Sequence, residues 1–109
     1  ARHSDGSFVD SARAIAAGAP RAGFSAGTNT TICVVAVDAA LSRVELQAVA
    51  RSAGNGLLAR ITPAGTLSDG DIVFALAPMQ GATAPLPQAE QLARQAREQG
   101  IERAVRLAE

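Results

Sequence analysis

Thr30 stands where a polar, glycine-bearing approach meets a run of apolar residues, Gly27-Thr28-Asn29-Thr30-Thr31-Ile32-Cys33-Val34-Val35-Ala36-Val37-Asp38. A threonine hydroxyl is a weak nucleophile until a base takes its proton. A free α-amine, with a reference pKa of about 7.7–8, lies close to the range where a general base is most useful. If the chain were opened between Asn29 and Thr30, the amine of Thr30 would be the base for its own hydroxyl. Self-cleavage provides a route: Thr30 Oγ1 attacks the Asn29 carbonyl, the acyl group moves from nitrogen to oxygen, and water hydrolyses the ester. Gly27 and Asn29 tolerate backbone angles that other residues avoid, so such a bond can be held twisted for attack. The same residues also suit an ordinary loop-to-strand junction, because threonine is common at strand starts.

A second group with chemical potential is Asp69-Gly70-Asp71. Two carboxylates around a glycine can orient a hydroxyl or an amine. Asp-Gly is equally an ordinary turn pair, and on these residues alone the solvated turn is the simpler reading. Cys33 is the single cysteine, which leaves no internal disulfide and no cysteine cluster for zinc. Its place inside the apolar run favours an inert buried thiol. His3 is the single histidine and stands near the start of the chain.

The elements that must position these residues can be read from pattern. Residues 30–37 form a strand whose apolar run is continuous rather than alternating, as expected for a strand covered on both faces. A helix follows. Ser42 and Glu45 have the spacing of a capping box, and Leu46, Val49, Ala50, Ala53 and Leu57 recur at helical spacing. Gly54-Asn55-Gly56 weakens that helix by about 1 kcal/mol per glycine relative to alanine. It either ends there or runs on to Ile61, and Pro63 stops it. Residues 71–77 form a second apolar strand. Residues 88–109 form a helix with Leu92, Ala96 and Gln99 or Gly100 on one face, continued by Ile101, Val105 and Ala108. Its alternating Arg and Glu read as a solvated outside. Upstream, residues 8–17 suit a short helix ended by Gly18. Residues 19–28 and 78–87 read as linkers.

The 109 residues allow one small domain or a piece of a larger one. Apolar residues make up 48%, enough for a core, but with three Phe and no Trp or Tyr that core is aliphatic. Ten basic and ten acidic side chains cancel, so no electrostatic footprint for nucleic acid or an anionic membrane is present. No run approaches the ~18 apolar residues of a membrane helix. No leader is visible, although the chain opens at Ala1, and a cytoplasmic location is expected. The order strand, helix, strand, helix predicts a layered α/β sheet. Two strands do not bury themselves, so a larger sheet and a partner chain are expected.

Asn29-Thr30-Thr31-Ile32 with Val35-Ala36 and Asp38, then Gly56-Leu57, Ile61 and Pro63, then Asp69-Gly70-Asp71 with Val73-Phe74-Ala75, together resemble one family. It is the DmpA-type aminopeptidases, which include the β-peptidyl aminopeptidases and the 6-aminohexanoate-oligomer hydrolases. Gly6-Ser7-Phe8-Val9-Asp10 also resembles the stretch that members carry before their cleavage site. The match runs in register over residues 6–77, with Asp-Gly-Asp beginning thirty-nine residues after Thr30.

The resemblance implies an autoprocessing amide hydrolase cut between Asn29 and Thr30. Residues 1–29 would be the tail of a large subunit or pro-segment, and residues 30–109 would belong to the small subunit. It implies a four-layer α/β/β/α fold like that of N-terminal-nucleophile hydrolases. Thr30 would be the nucleophile, with Asp69 and Asp71 orienting it and setting its proton balance. The implied partners are the large subunit, further heterodimers in a homo-oligomer, and a short peptide or amide substrate. No cofactor or metal is implied. The chain also departs from the pattern. Gly65 stands where many members have a histidine, and an arginine usual after Gly-Leu is displaced to Arg60. Members bring a lysine and an asparagine to the active site from the large subunit, and this chain has no lysine, since all ten basic residues are Arg. Two alternatives remain open: a non-catalytic remnant that keeps the fold and interface, and an acetyltransferase on a similar fold, whose Ala-Thr-Met cleavage motif is missing.

Overall fold

The structure is a computed structural model and describes residues 4–18, 30–61 and 70–108. Its elements are α1 (Ser11–Ala16), β1 (Ile32–Ala36), α2 (Arg43–Arg60), β2 (Ile72–Leu76) and α3 (Leu86–Leu107). From β1 onward the order is strand, helix, strand, helix, as the apolar patterning predicts. The strands pair in parallel, with Ile32 opposite Ile72 and Ala36 opposite Leu76. A parallel pair needs a crossover, and α2 provides it.

The capping box at the start of α2 is formed. Ser42 Oγ accepts from the Glu45 amide at 3.2 Å, and Glu45 Oε2 accepts from the Ser42 amide at 2.8 Å. The helix then runs through Gly54-Asn55-Gly56 to Arg60. Packing explains why Gly56 is tolerated. A Cβ at this position would lie 3.0 Å from the Arg94 carbonyl oxygen and 3.3 Å from Glu98 Cγ. The missing side chain is what lets α2 and α3 approach closely, and that contact offsets the propensity cost of glycine. Gly54 faces open space and has no such role.

Both helices lie on one face of the sheet. Val35, Val49, Ala53, Ala89 and Ala93 form the buried cluster, with Cys33, Val37, Leu41, Val73, Ala75 and Leu86 packed against it. Cys33 is thus a half-buried core contact. The other face is bare. Ile32 is 68% exposed, Val34 58% and Phe74 49%, with Ile72 and Leu76 beside them. The expectation of a strand covered on both faces is therefore met on one face only among the described residues.

α3 differs from the expected helix in its buried face. Leu92, Ala96 and Gly100 are exposed, and Ala89, Ala93 and Arg97 are buried instead. Small alanines allow α3 to lie close to α2, and this close contact, rather than the larger Leu92, sets the helix rotation. The alternating charges are not wholly a solvated outside, because Arg97 is turned inward. Upstream, α1 is shorter than expected. Asp10 caps it by accepting from the Arg13 amide at 3.1 Å, and Gly18 follows at φ +87°. No helix among the described residues is long and apolar enough to cross a membrane.

Candidate active site

The heads of the two strands lie side by side and bring Thr30, Thr31, Gly70 and Asp71 together. Strand alternation places Thr30 on the bare face with Ile32 and Val34, and turns Thr31 toward the helices with Cys33 and Val35. Thr30 is exposed. Its hydroxyl lies against the backbone of Gly70, and a Cβ at Gly70 would sit 2.9 Å from Thr30 Oγ1. An ordinary side chain at position 70 would force the hydroxyl to move.

Asp71 reaches the same spot from the other side of the strand. Its Oδ1 accepts a hydrogen bond from the Thr31 amide at 2.9 Å, across forty residues of sequence. One step further in, the Thr31 carbonyl accepts from the Ile72 amide at 3.0 Å. The residue after Thr30 is thus held at both its amide and its carbonyl. Asp71 acts on the backbone that carries the hydroxyl, and the ladder between β1 and β2 fixes the direction of that backbone.

Of the four candidate residues, Thr30 and Asp71 are brought together. Asn29 and Asp69 lie outside the described residues, as do His3, Pro63 and Gly65. Gly70 is the residue the motif reading undervalued. It stands between the two carboxylates of the motif, and its backbone lies against Thr30 Oγ1. A glycine at a strand entrance opposite a candidate nucleophile is itself a signal of close backbone approach. Among the described residues, no His, Cys, Asp and Glu side chains gather to hold a metal ion.

The arrangement presents a hydroxyl at the head of a strand, on an open face, above a backbone anchored by a carboxylate. Within the uncut chain, however, the nitrogen of Thr30 is an amide and has no basicity.

Comparison with known proteins agrees with the family resemblance. An uncharacterized aminopeptidase of Mycobacterium tuberculosis is 49% identical over 70 residues, which is 64% of this chain and 20% of the relative. The relative named in the same words in Mycobacterium bovis matches to the same extent. An uncharacterized aminopeptidase of Mycobacterium leprae is 59% identical over 49 residues, 45% of this chain and 14% of that protein. The chain thus spans about 20% of the length of the curated relatives it matches. No solved structure matches it. The profile of Peptidase family S58 matches residues 4–109, nearly the whole chain, and so this chain belongs to peptidase family S58.

Proposed function

We propose that this chain is the nucleophile-bearing part of an autoprocessing amide hydrolase of aminopeptidase type. The observation that carries the reading is the position of Thr30. Its hydroxyl lies against Gly70 on the bare face, while Asp71 grips the next amide. In processing, Thr30 Oγ1 adds to the Asn29 carbonyl carbon. The Asn29–Thr30 carbon–nitrogen bond breaks, and the departing nitrogen takes up the hydroxyl proton. Water then splits the resulting ester into the Asn29 carboxylate and a free Thr30, with its hydroxyl restored and its amine exposed. In turnover, that amine takes the hydroxyl proton as Oγ1 attacks a substrate amide, and passes it to the leaving amine. A second water releases the acyl group.

On this reading, residues 1–29 belong to the larger product and residues 30–109 to the smaller. The remainder of the protein supplies the layers that complete a four-layer fold over the bare face, and the enzyme assembles from several heterodimers. Asp69 and Asp71 hold the new terminus and favour its charged form, as carboxylates near an ammonium do. The substrates are short peptides or amide oligomers entering over the face that bears Thr30.

Intact mass and N-terminal sequencing test the proposal, on this chain and on the whole protein. A new terminus at Thr30 is the expected result, at least when the rest of the protein is present. Thr30→Ala abolishes cleavage and amide hydrolysis, and Asp71→Ala slows both. Normal processing of Thr30→Ala refutes the assignment. An uncut chain in both forms favours a non-catalytic remnant.

A further inference from the structure

Among the described residues, Arg97 is the one charged side chain that is buried. It is only 4% exposed, and its Nε, Nη1 and Nη2 atoms are all buried without a hydrogen-bond partner. A guanidinium stays charged at any physiological pH and offers five donors. Burying it with none of its nitrogens satisfied is among the costlier things a fold can do. By contrast, Arg94 and Arg106 on the same helix each bond a glutamate one turn away. The lone arrangement of Arg97 therefore points to an anion that the described residues do not contribute.

The surroundings of Arg97 indicate what brings that anion. A cleft of about 360 Å³ lies between α3 and β1, lined by Arg97, Gly100 and Ala104 on the helix and by Thr31 to Ala36 on the strand. A second cleft of about 350 Å³ continues it toward Asp38 and shares Val35, Ala36 and Ala96. The two form a groove along one side of β1. The backbone of β1 is unfinished on the side away from β2. Thr31 accepts from Ile72 and Val37 donates to Leu76. The odd-numbered residues therefore direct their peptide groups to β2, and Ile32, Val34 and Ala36 turn theirs to the free edge. Among the described residues, nothing pairs with that edge. On the helix side Ala96, Gly100 and Ala104, set beside the larger Leu92 and Ile101, leave room for another backbone.

We propose that an extended segment from the rest of the protein adds to the free edge of β1 and delivers an Asp or Glu side chain to Arg97. Main-chain bonds to Ile32, Val34 and Ala36 supply affinity, and the carboxylate sets the register, because only one alignment satisfies the guanidinium. The proposal does not rest on the chemistry of Thr30. It concerns the free edge of β1 beside α3, and it rests only on the reading that this chain is part of a larger protein.

Hydrogen exchange of the whole protein tests it, in the native sequence and in a Thr30→Ala background that separates this claim from processing. In the native protein, the amides of Ile32, Val34 and Ala36 exchange as slowly as those of Cys33 and Val35. Arg97→Gln speeds the three edge amides by tenfold or more and leaves the β2-bonded amides unchanged. Arg97→Lys restores part of the protection. In an Arg97→Glu variant, replacing one acidic residue of the docked segment by Arg recovers protection. Fast exchange at the three edge amides in the native whole protein overturns the proposal. Edge protection that is indifferent to Arg97, or that no acidic-to-Arg exchange recovers, overturns the carboxylate pairing. If Arg97→Gln fails to fold, the native measurement and the Lys variant still decide between these outcomes.

Discussion

The two faces of the small sheet are built from the same kinds of residue and live in different surroundings. Cys33, Val35, Val73 and Ala75 face α2 and α3 and belong to the core. Ile32, Val34, Ile72 and Phe74 are one position along in the same strands, equally apolar, and bare. A monomer rarely leaves so contiguous an apolar surface uncovered without a use for it. Among the described residues, one face of the sheet is packed and the other is open. Thr30 lies on the open side, so the proposed nucleophile and the exposed apolar surface share one face.

The contrast is sharpest at adjacent valines. Val35→Asp places an unpaired carboxylate in the core and should cost about 3–5 kcal/mol, enough to unfold the chain in thermal denaturation. Val34→Asp, one residue away, should change the stability of the 109-residue chain by less than about 0.5 kcal/mol. In the whole protein the same Val34→Asp change should be severely damaging. Equal tolerance in both settings would mean that nothing covers the bare face.

Smaller changes probe the covered side. Gly56→Ala puts a methyl group 3.0 Å from the Arg94 carbonyl, so α2 and α3 must separate. A loss of about 1–3 kcal/mol is expected in denaturant unfolding. Ser42→Ala removes one half of the capping box and should cost about 1 kcal/mol, read as a lowered melting temperature. Gly54→Ala meets nothing within 4 Å and should stabilise the chain by about 0.5–1 kcal/mol. Opposite signs at two glycines two residues apart would separate packing from propensity within one helix.

Much of the fold was legible because its signals are local. The continuous apolar runs gave both strands, and Ser42 with Glu45 gave the start of α2. What was not legible depends on contacts distant in sequence. The course of α2 through Gly54-Asn55-Gly56 is decided by Arg94 and Glu98 on another helix, not by propensity. The buried face of α3 is set by how closely Ala89 and Ala93 approach α2, so the larger Leu92 is left outside. Arg97 was unreadable for a related reason: its type and its neighbours in the sequence describe a surface, and only its rotation on α3 buries it. At the candidate site the sequence supplied Thr30 and Asp71 but not the way they connect, which runs through the Thr31 amide.

That connection bears on a matter of entropy. New chain ends ordinarily fray, because a terminal residue gives up conformational freedom for few contacts. A chain opened before Thr30 would instead begin one residue ahead of Thr31, whose amide is held by Asp71 and whose carbonyl is held by Ile72. The ordering would come from the intact fold and would not have to be supplied by an arriving ligand. An end group tethered so briefly has few orientations open to it, and each approaching molecule meets it already aimed.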